Sequence, residues 1–168
     1  MIARASSVSD ELQPVRTTED RIVDFRRANS RTRSIVENYD SEWLETVQNR
    51  LEELVDGLRP GWDGYYGRPV GFLNASFALS MLSSICRPDT PSPQIVPGSD
   101  GDLQIEWHTI KVDIELEVRG PYIVNAWRWV VGSDPEGESL DLSQDFTEVA
   151  KWVAEISEQK IVANTAAA

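Results

Sequence analysis

Apolar and polar residues alternate along two consecutive segments of this chain, residues 103–107 and 111–118. The apolar positions are Leu103, Ile105 and Trp107 in the first segment and Val112, Ile114, Leu116 and Val118 in the second. A period of two is typical of a β-strand with one buried face, because successive side chains of a strand point to opposite sides. The two segments therefore predict an antiparallel hairpin whose apolar face must be covered by other elements.

Segments on both sides of this hairpin supply the predicted cover. Apolar residues recur with the spacing of a helix face in three segments, residues 44–55, 70–85 and 149–156. A third strand is predicted at residues 122–131, while the proline-rich segment 88–97 is interpreted as an extended connection and segment 132–139 as a loop. The prediction is an α+β fold with two helices, a three-stranded antiparallel meander and a C-terminal helix packed on one sheet face.

Charge is distributed unevenly along the 168 residues. The chain has 16 Lys and Arg residues against 28 Asp and Glu residues, a net charge of -12. Residues 1–34 carry seven arginines and five acidic residues, a balance of +2, whereas the remainder has nine basic and 23 acidic residues, a balance of -14. We interpret residues 1–36 as an arginine-containing arm, partly disordered or helical, residues 37–162 as a single α+β domain, and residues 163–168 as a frayed tail.

This composition excludes several classes of function. A single cysteine, Cys86, and a single histidine, His108, cannot build a CxxC zinc site, an HExxH protease site or a disulfide framework, and no motif predicts a cofactor or a metal. The acidic balance argues against direct binding to nucleic acid or to an anionic membrane. No segment has the pattern of a signal peptide or of a membrane span, which predicts a cytoplasmic protein. His108 is expected in a turn, and Cys86 as a small buried apolar side chain.

The polar face of the predicted hairpin concentrates carboxylates. If residues 108–111 close the hairpin, Trp107 lies opposite Val112. The same register forms three polar pairs, Glu106 with Asp113, Gln104 with Glu115, and Asp102 with Glu117. Like charges directly opposite each other destabilise a sheet by about 0.2–1 kcal/mol per pair. Three interpretations stay open: a solvated face screened by salt, a docking surface for a basic partner, and a carboxylate site for a metal or for acid–base catalysis.

The register of the third strand decides which residues lie beside these carboxylates. A two-residue turn at residues 120–121 pairs Asp113 with Arg128 and directs Trp127 and Trp129 toward the core. A three-residue turn reverses these faces and exposes both tryptophans. Both registers are compatible with the sequence.

A loop at residues 61–69 combines glycines with three large aromatic residues, Trp62, Tyr65 and Tyr66. Such side chains suit either a structural loop that holds two helices against the sheet or a recognition site for a partner. The Asp63–Gly64 pair indicates a tight turn. The glycine spacing of a phosphate-binding loop is absent.

This loop also carries a resemblance to known sequences. GWDGYYGRP at residues 61–69, followed by DGDLQIEW at residues 100–107, resembles a group of small, largely uncharacterised bacterial proteins with a GWDGYGA-x-P motif and a later DG-x-x-x-EW strand. Tyr66 and Gly67 stand where that pattern has Gly and Ala. The resemblance covers about residues 41–130 and implies a shared fold. Members of the group look like accessory genes of mobile or defence-related loci, which implies antitoxin, immunity or inhibitor roles.

Together these features predict a non-catalytic acidic module that binds and neutralises a basic protein, either a toxin or a nucleic-acid-binding enzyme whose phosphate ligands the carboxylates imitate. The predicted partner-binding residues are Asp102, Glu106, Asp113, Glu115, Glu117, Trp62, Tyr65 and Tyr66. One alternative is a hydrolase that uses Glu106, Asp113 and Glu115 with a divalent metal. The other is a structural or oligomerisation module.

Overall fold

A five-stranded antiparallel sheet covered on one face by helices forms the framework of the fold. The computed structural model describes residues 41–166, without the side chains of Glu42 and residues 158–166, so the arginine-containing arm lies outside the described residues. The helices are α1 (Glu42–Glu52), α2 (Phe72–Ile85) and α3 (Thr147–Ala166), and a π-helical turn, Glu53–Gly57, follows α1. The strands are β1 (Gln94–Pro97), β2 (Leu103–His108), β3 (Val112–Gly120), β4 (Ile123–Val130) and β5 (Glu138–Leu142).

The α+β class is confirmed, but the prediction of a three-stranded meander is wrong. The sheet has the order β1-β2-β3-β4-β5, and its two edge strands come from the segments interpreted as a connection and a loop. β1 tolerates Pro97 because an edge strand has one side on which its backbone N–H groups are not needed for pairing. β5 is short and acidic, but its Leu140 and Leu142 pack against the core. Both edges join through pairing with a neighbour that local sequence pattern does not reveal.

Helix α1 packs through the apolar stripe that its spacing predicts. Trp43, Val47 and Leu51 are all almost completely buried. The Trp43 indole donates a hydrogen bond to the carbonyl of Arg87 at 2.9 Å, which satisfies its polar group inside the core. Arg50 Nε donates to the carbonyl of Ile95 at 3.0 Å, so this helix lies beside the β1 edge.

Helices α2 and α3 pack against each other and against β3. The α3 stripe is buried as predicted, with Val149, Val153 and Ile156 almost inaccessible. One polar pair lies in the interior: the hydroxyls of Thr90 and Ser157 are 3.0 Å apart, so each has a partner. No helix within residues 41–166 is long and apolar enough to cross a membrane.

The β2–β3 hairpin has a register two residues away from the predicted one. Trp107 lies opposite Ile114, not Val112. Thr109 sets this register, because its hydroxyl accepts a hydrogen bond from the Val112 N–H at 2.9 Å and donates to the Val112 carbonyl at 2.8 Å. A shift by two leaves every side chain on its predicted face, so the core face is unchanged and only the pairs across the polar face differ.

The β3–β4 register places Asp113 opposite Trp129, and Arg128 opposite Ile114. Of the two registers left open, the one that turns the tryptophans away from the core therefore matches the structure. It arises through a register shift between Val118 and Gly120 rather than a longer loop. Such a bulge adds one residue to a strand and reverses the faces beyond it, and no local pattern announced it.

Candidate functional site

The sheet surface opposite the helices is polar, and we call it the outer face. Its residues alternate with buried core residues along the strands, because successive side chains of a strand point to opposite sides. The outer-face residues are Gln104, Glu106, His108, Asp113, Glu115, Glu117, Asn125, Trp127, Trp129, Ser139 and Asp141. Five carboxylates therefore share one surface with two tryptophans.

His108 bridges two of these carboxylates at one end of the outer face. Its Nε2 lies 3.0 Å from Oε2 of Glu106, and its Nδ1 lies 3.2 Å from Oδ1 of Asp113. Only the protonated ring has an N–H on both nitrogens, so only that form donates to both carboxylates at once. The hydrogen bond to Glu106, followed by that to Asp113, raises the pKa of His108. His108 lies in β2 rather than in the turn where the sequence predicted it.

Glu106 and Glu115 lie directly opposite each other at the centre of the face. The side-chain partner of Glu115 is the neutral amide of Gln104, which donates to Oε2 of Glu115 at 3.0 Å. Glu117, opposite Gln104, instead forms an ion pair with Arg119 at 2.8 Å. The negative charge is thus balanced at both ends of the row, by His108 and Arg119, and less so in the middle.

A shallow groove runs beside this row on the outer face. Its volume is about 330 Å³. The residues that line it are Gln104, Glu115, Glu117, Asn125, Ala126, Trp127, Ser139, Leu140 and Asp141. Three carboxylates and an indole in one concave surface are groups that attract a cation. The sequence predictions missed Asp141 because β5 was interpreted as a loop, although Leu140 and Leu142 alternate with Ser139 and Asp141.

The indole in this groove is held in position by the loop that precedes β5. Trp127 Nε1 donates to the carbonyl of Glu136 at 3.0 Å. Gly137 has a φ of 71°, and a Cβ there would lie 2.5 Å from the carbonyl oxygen of Arg128 and 2.9 Å from the indole nitrogen. Only glycine fits this position, which lets the loop pack against the tryptophan.

The aromatic loop at residues 61–67 has a rigid base and an exposed tip. Asp63 Oδ1 accepts hydrogen bonds from the N–H groups of Tyr65 and Gly67, each at 2.9 Å, and these bonds lower the pKa of Asp63. Trp62 Nε1 donates to the carbonyl of Arg68 at 3.1 Å. The side chains of Tyr65 and Tyr66 are 81% and 94% exposed. Trp62 thus supports the loop, while the two tyrosines are presented to solvent.

This loop is attached to the turn between β1 and β2. The Arg68 N–H donates to the Ser99 carbonyl at 2.9 Å, and its guanidinium pairs with Asp100 at 3.1 Å. Asp102 belongs to the same turn, where its Oδ1 accepts from the Asp100 N–H at 3.2 Å. The predicted pairing of Asp102 with Glu117 is therefore wrong, because β2 begins after Asp102 and Glu117 faces Gln104.

The remaining candidates do not form a catalytic group in the described part of the chain. No set of three or more His, Cys, Asp and Glu residues within it is arranged to hold a metal ion. Glu106, Asp113 and Glu115 lie on one face, but they do not converge on one point. Cys86 follows α2, and burial raises the pKa of its thiol. The arrangement gives no support to the hypothesis of a metal-dependent hydrolase.

Comparisons with known proteins leave the outer face and the aromatic loop as the basis for assigning a function. No family model matches the chain, and neither a curated protein nor a solved structure shows significant similarity to it.

Proposed function

We propose that the chain is a non-catalytic binding module whose outer face docks a basic protein. The observation that carries this proposal is the row formed by Glu106, Asp113, Glu115 and Glu117 on two adjacent strands, next to a groove that contains Trp127. Within the described residues, only His108 and Arg119 form ion pairs with the acidic side chains of this row. A cationic partner would relieve the repulsion that remains.

Partial burial strengthens the argument for a docking surface. The side chain of Glu106 is 16% exposed and that of Asp113 is 32% exposed, so both carboxylates have already lost part of their hydration. A charge that is partly desolvated before binding loses less hydration when a partner covers it. These two groups are therefore better placed to gain from a cation than fully exposed acids would be.

The groove favours arginine among the cations that a protein can offer. A guanidinium donates two parallel hydrogen bonds to a carboxylate and stacks on an aromatic ring. Glu115 and Asp141 supply carboxylates to the groove, and Trp127 supplies the ring. Lysine carries the same charge, but it has neither the planar shape nor the fork of donors.

The aromatic loop provides a second contact in this proposal. Tyr65 and Tyr66 lose little conformational entropy on binding, because each has two side-chain torsions and the loop backbone is already held by Asp63. Tyrosine is also among the residues that most often dominate interface energies. We assign to these tyrosines the anchoring of the partner, and to the carboxylates its orientation and its rate of association.

The resemblance to defence-associated bacterial proteins suggests the class of partner. A toxin or an enzyme that binds nucleic acid has arginines where it holds phosphates, and carboxylates on a sheet can occupy such a surface. The proposed role is therefore that of a cytoplasmic antitoxin, immunity protein or inhibitor.

A peptide of ten arginines tests whether the outer face, rather than the total charge, binds cations. The test compares the wild type with E115Q/E117Q and with E45Q/D89N, which removes two exposed charges elsewhere in the described chain. If each exposed ion pair contributes about 0.5–1 kcal/mol, the outer-face variant loses roughly five- to thirtyfold in affinity. The control variant should lose much less.

Two results would contradict the proposal. Equal losses in both variants would show that binding follows net charge alone. A change in oligomeric state in E115Q/E117Q, with unchanged affinity for the peptide, would favour an oligomerisation module instead. Calorimetry and analytical ultracentrifugation on the same samples distinguish these results.

A further inference from the structure

The arm that precedes α1 is the part of this chain whose charge is opposite to that of the outer face. Residues 1–34 contain seven arginines, and residues 1–40 contain no lysine. The rest of the chain carries a balance of -14. The arm therefore offers the side chain that the groove favours, and it is covalently attached to the same molecule.

The point where the arm joins the described structure lies near the correct edge of the sheet. The arm leads into Ser41 at the start of α1, and α1 lies against β1 through the hydrogen bond from Arg50 to the Ile95 carbonyl. β1 is the edge strand, and its Gln94 lies opposite Glu106. Two strand spacings, about 10 Å, separate β1 from β3.

The length of the arm is sufficient to pass around this edge. Arg33 precedes Ser41 by eight residues and Arg27 by fourteen. Extended chain covers about 3.3 Å per residue, so these arginines can lie up to roughly 26 and 46 Å from Ser41. Both distances exceed the width of the strands to be crossed.

We propose that the arginine-containing arm binds the outer face of its own chain and that a basic partner must displace it. The inference rests on the docking surface of the proposed function and names its resident competitor. A tethered segment acts at an effective concentration of the order of millimolar, so individually weak ion pairs suffice for it to occupy the face. In this arrangement the arm lowers the affinity for weakly basic proteins and reserves the face for strongly basic ones.

Zero-length cross-linking with a carbodiimide tests this placement in the full chain. The reagent joins a lysine amine to a carboxylate that it contacts, and R27K or R33K, made separately, introduces a lysine into the arm without changing its charge. The wild-type chain is the matched control. Lys151 and Glu148, which form an ion pair at 2.5 Å, supply an internal positive control in every sample.

We expect new intramolecular cross-links from the introduced lysine to Glu106, Glu115, Glu117 or Asp141, identified by mass spectrometry. They should be lost at about 1 M salt, where the Debye length is about 3 Å. Cross-links only to acids such as Glu45 or Asp89, cross-links only between two chains, or none at all beside a positive Lys151 control would overturn the inference.

A binding measurement distinguishes failure of this inference from failure of the proposed function. Replacing five arm arginines by glutamine, at positions 21, 26, 27, 31 and 33, should tighten binding of the ten-arginine peptide. Unchanged or weaker binding in this variant would overturn the inference. If the peptide still loses affinity in E115Q/E117Q, the docking surface stands without its competitor.

Discussion

Nε2 of His108 lies 3.0 Å from Oε2 of Glu106, so the charge at one end of the outer face depends on the protonation of a single ring. Below the pKa of His108 the ring offsets part of the charge of Glu106 and Asp113. Above that pKa both carboxylates lose their cationic neighbour. The binding face is therefore more negative in mildly alkaline solution than in mildly acidic solution.

We expect the contribution of His108 to stability to decline as the pH rises. Its pKa in the folded chain is raised above the ordinary value of 6.5 by its bond to Glu106. The folded state thus binds the proton more tightly than the unfolded state, and the stabilisation is fully present below about pH 6.5 and lost as the pH passes through the folded pKa. The difference in unfolding free energy between wild type and H108Q should be larger at about pH 5.5 than at about pH 8.5 in urea titrations. An equal difference at both pH values would contradict this expectation.

E115Q should be neutral or slightly stabilising. The substitution removes repulsion between Glu115 and Glu106, which lie opposite each other, while an amide can still hydrogen-bond to Gln104. The expected gain is about 0.2–1 kcal/mol at low salt, and it should shrink when salt screens the charges. Urea unfolding at two salt concentrations measures this effect. A destabilisation of more than about 1 kcal/mol would show that Glu115 has a structural role.

R128M should leave the affinity of the outer face for a cationic peptide unchanged. Arg128 points to the helix side of the sheet, where it pairs with Glu155 at 3.3 Å and lies 5.5 Å from the centre of the Trp152 ring. Its positive charge is therefore separated from Asp113 by the sheet. Calorimetry with the ten-arginine peptide checks this expectation. A clear increase in affinity would mean that Arg128 neutralises the outer face after all.

G67A should destabilise the chain by about 1–3 kcal/mol, because an added methyl group has no space. A Cβ at Gly67 would lie 2.8 Å from both Asp63 Cγ and Trp62 Nε1, the two side chains that hold the aromatic loop. Thermal unfolding of G67A beside G64A, whose added Cβ meets no atom within 4 Å, isolates this steric effect from backbone strain at Gly64. A larger loss in G64A than in G67A would contradict the steric explanation.

Y66A should separate binding from folding. Tyr66 is 94% exposed, so its truncation should change the unfolding free energy by no more than about 0.5 kcal/mol. If the tyrosine anchors a partner, the same variant loses affinity for that partner by about tenfold or more. A stable variant with undiminished binding would remove the aromatic loop from the proposed interface.

Local patterns predicted the parts of the fold in which each residue's environment follows from its own spacing. The apolar stripes of α1, α2 and α3 and the alternation along residues 103–118 all appear in the core as expected. Trp62, Tyr65 and Tyr66 were singled out correctly as a group. Their division into a support and an exposed tip required the Asp63 hydrogen bonds, which depend on the folded loop.

Sequence alone determined which face of the β2–β3 hairpin is apolar and which is acidic, because a two-residue error in register leaves those faces unchanged. Tertiary structure decided which acids meet across that face, on which side Arg128 and the two tryptophans lie, and that β1 and β5 complete the sheet. A turn hydroxyl and a bulge set the first two, and pairing with a distant neighbour sets the third. These are interactions between residues far apart in the chain or at single backbone positions, where periodicity carries no information.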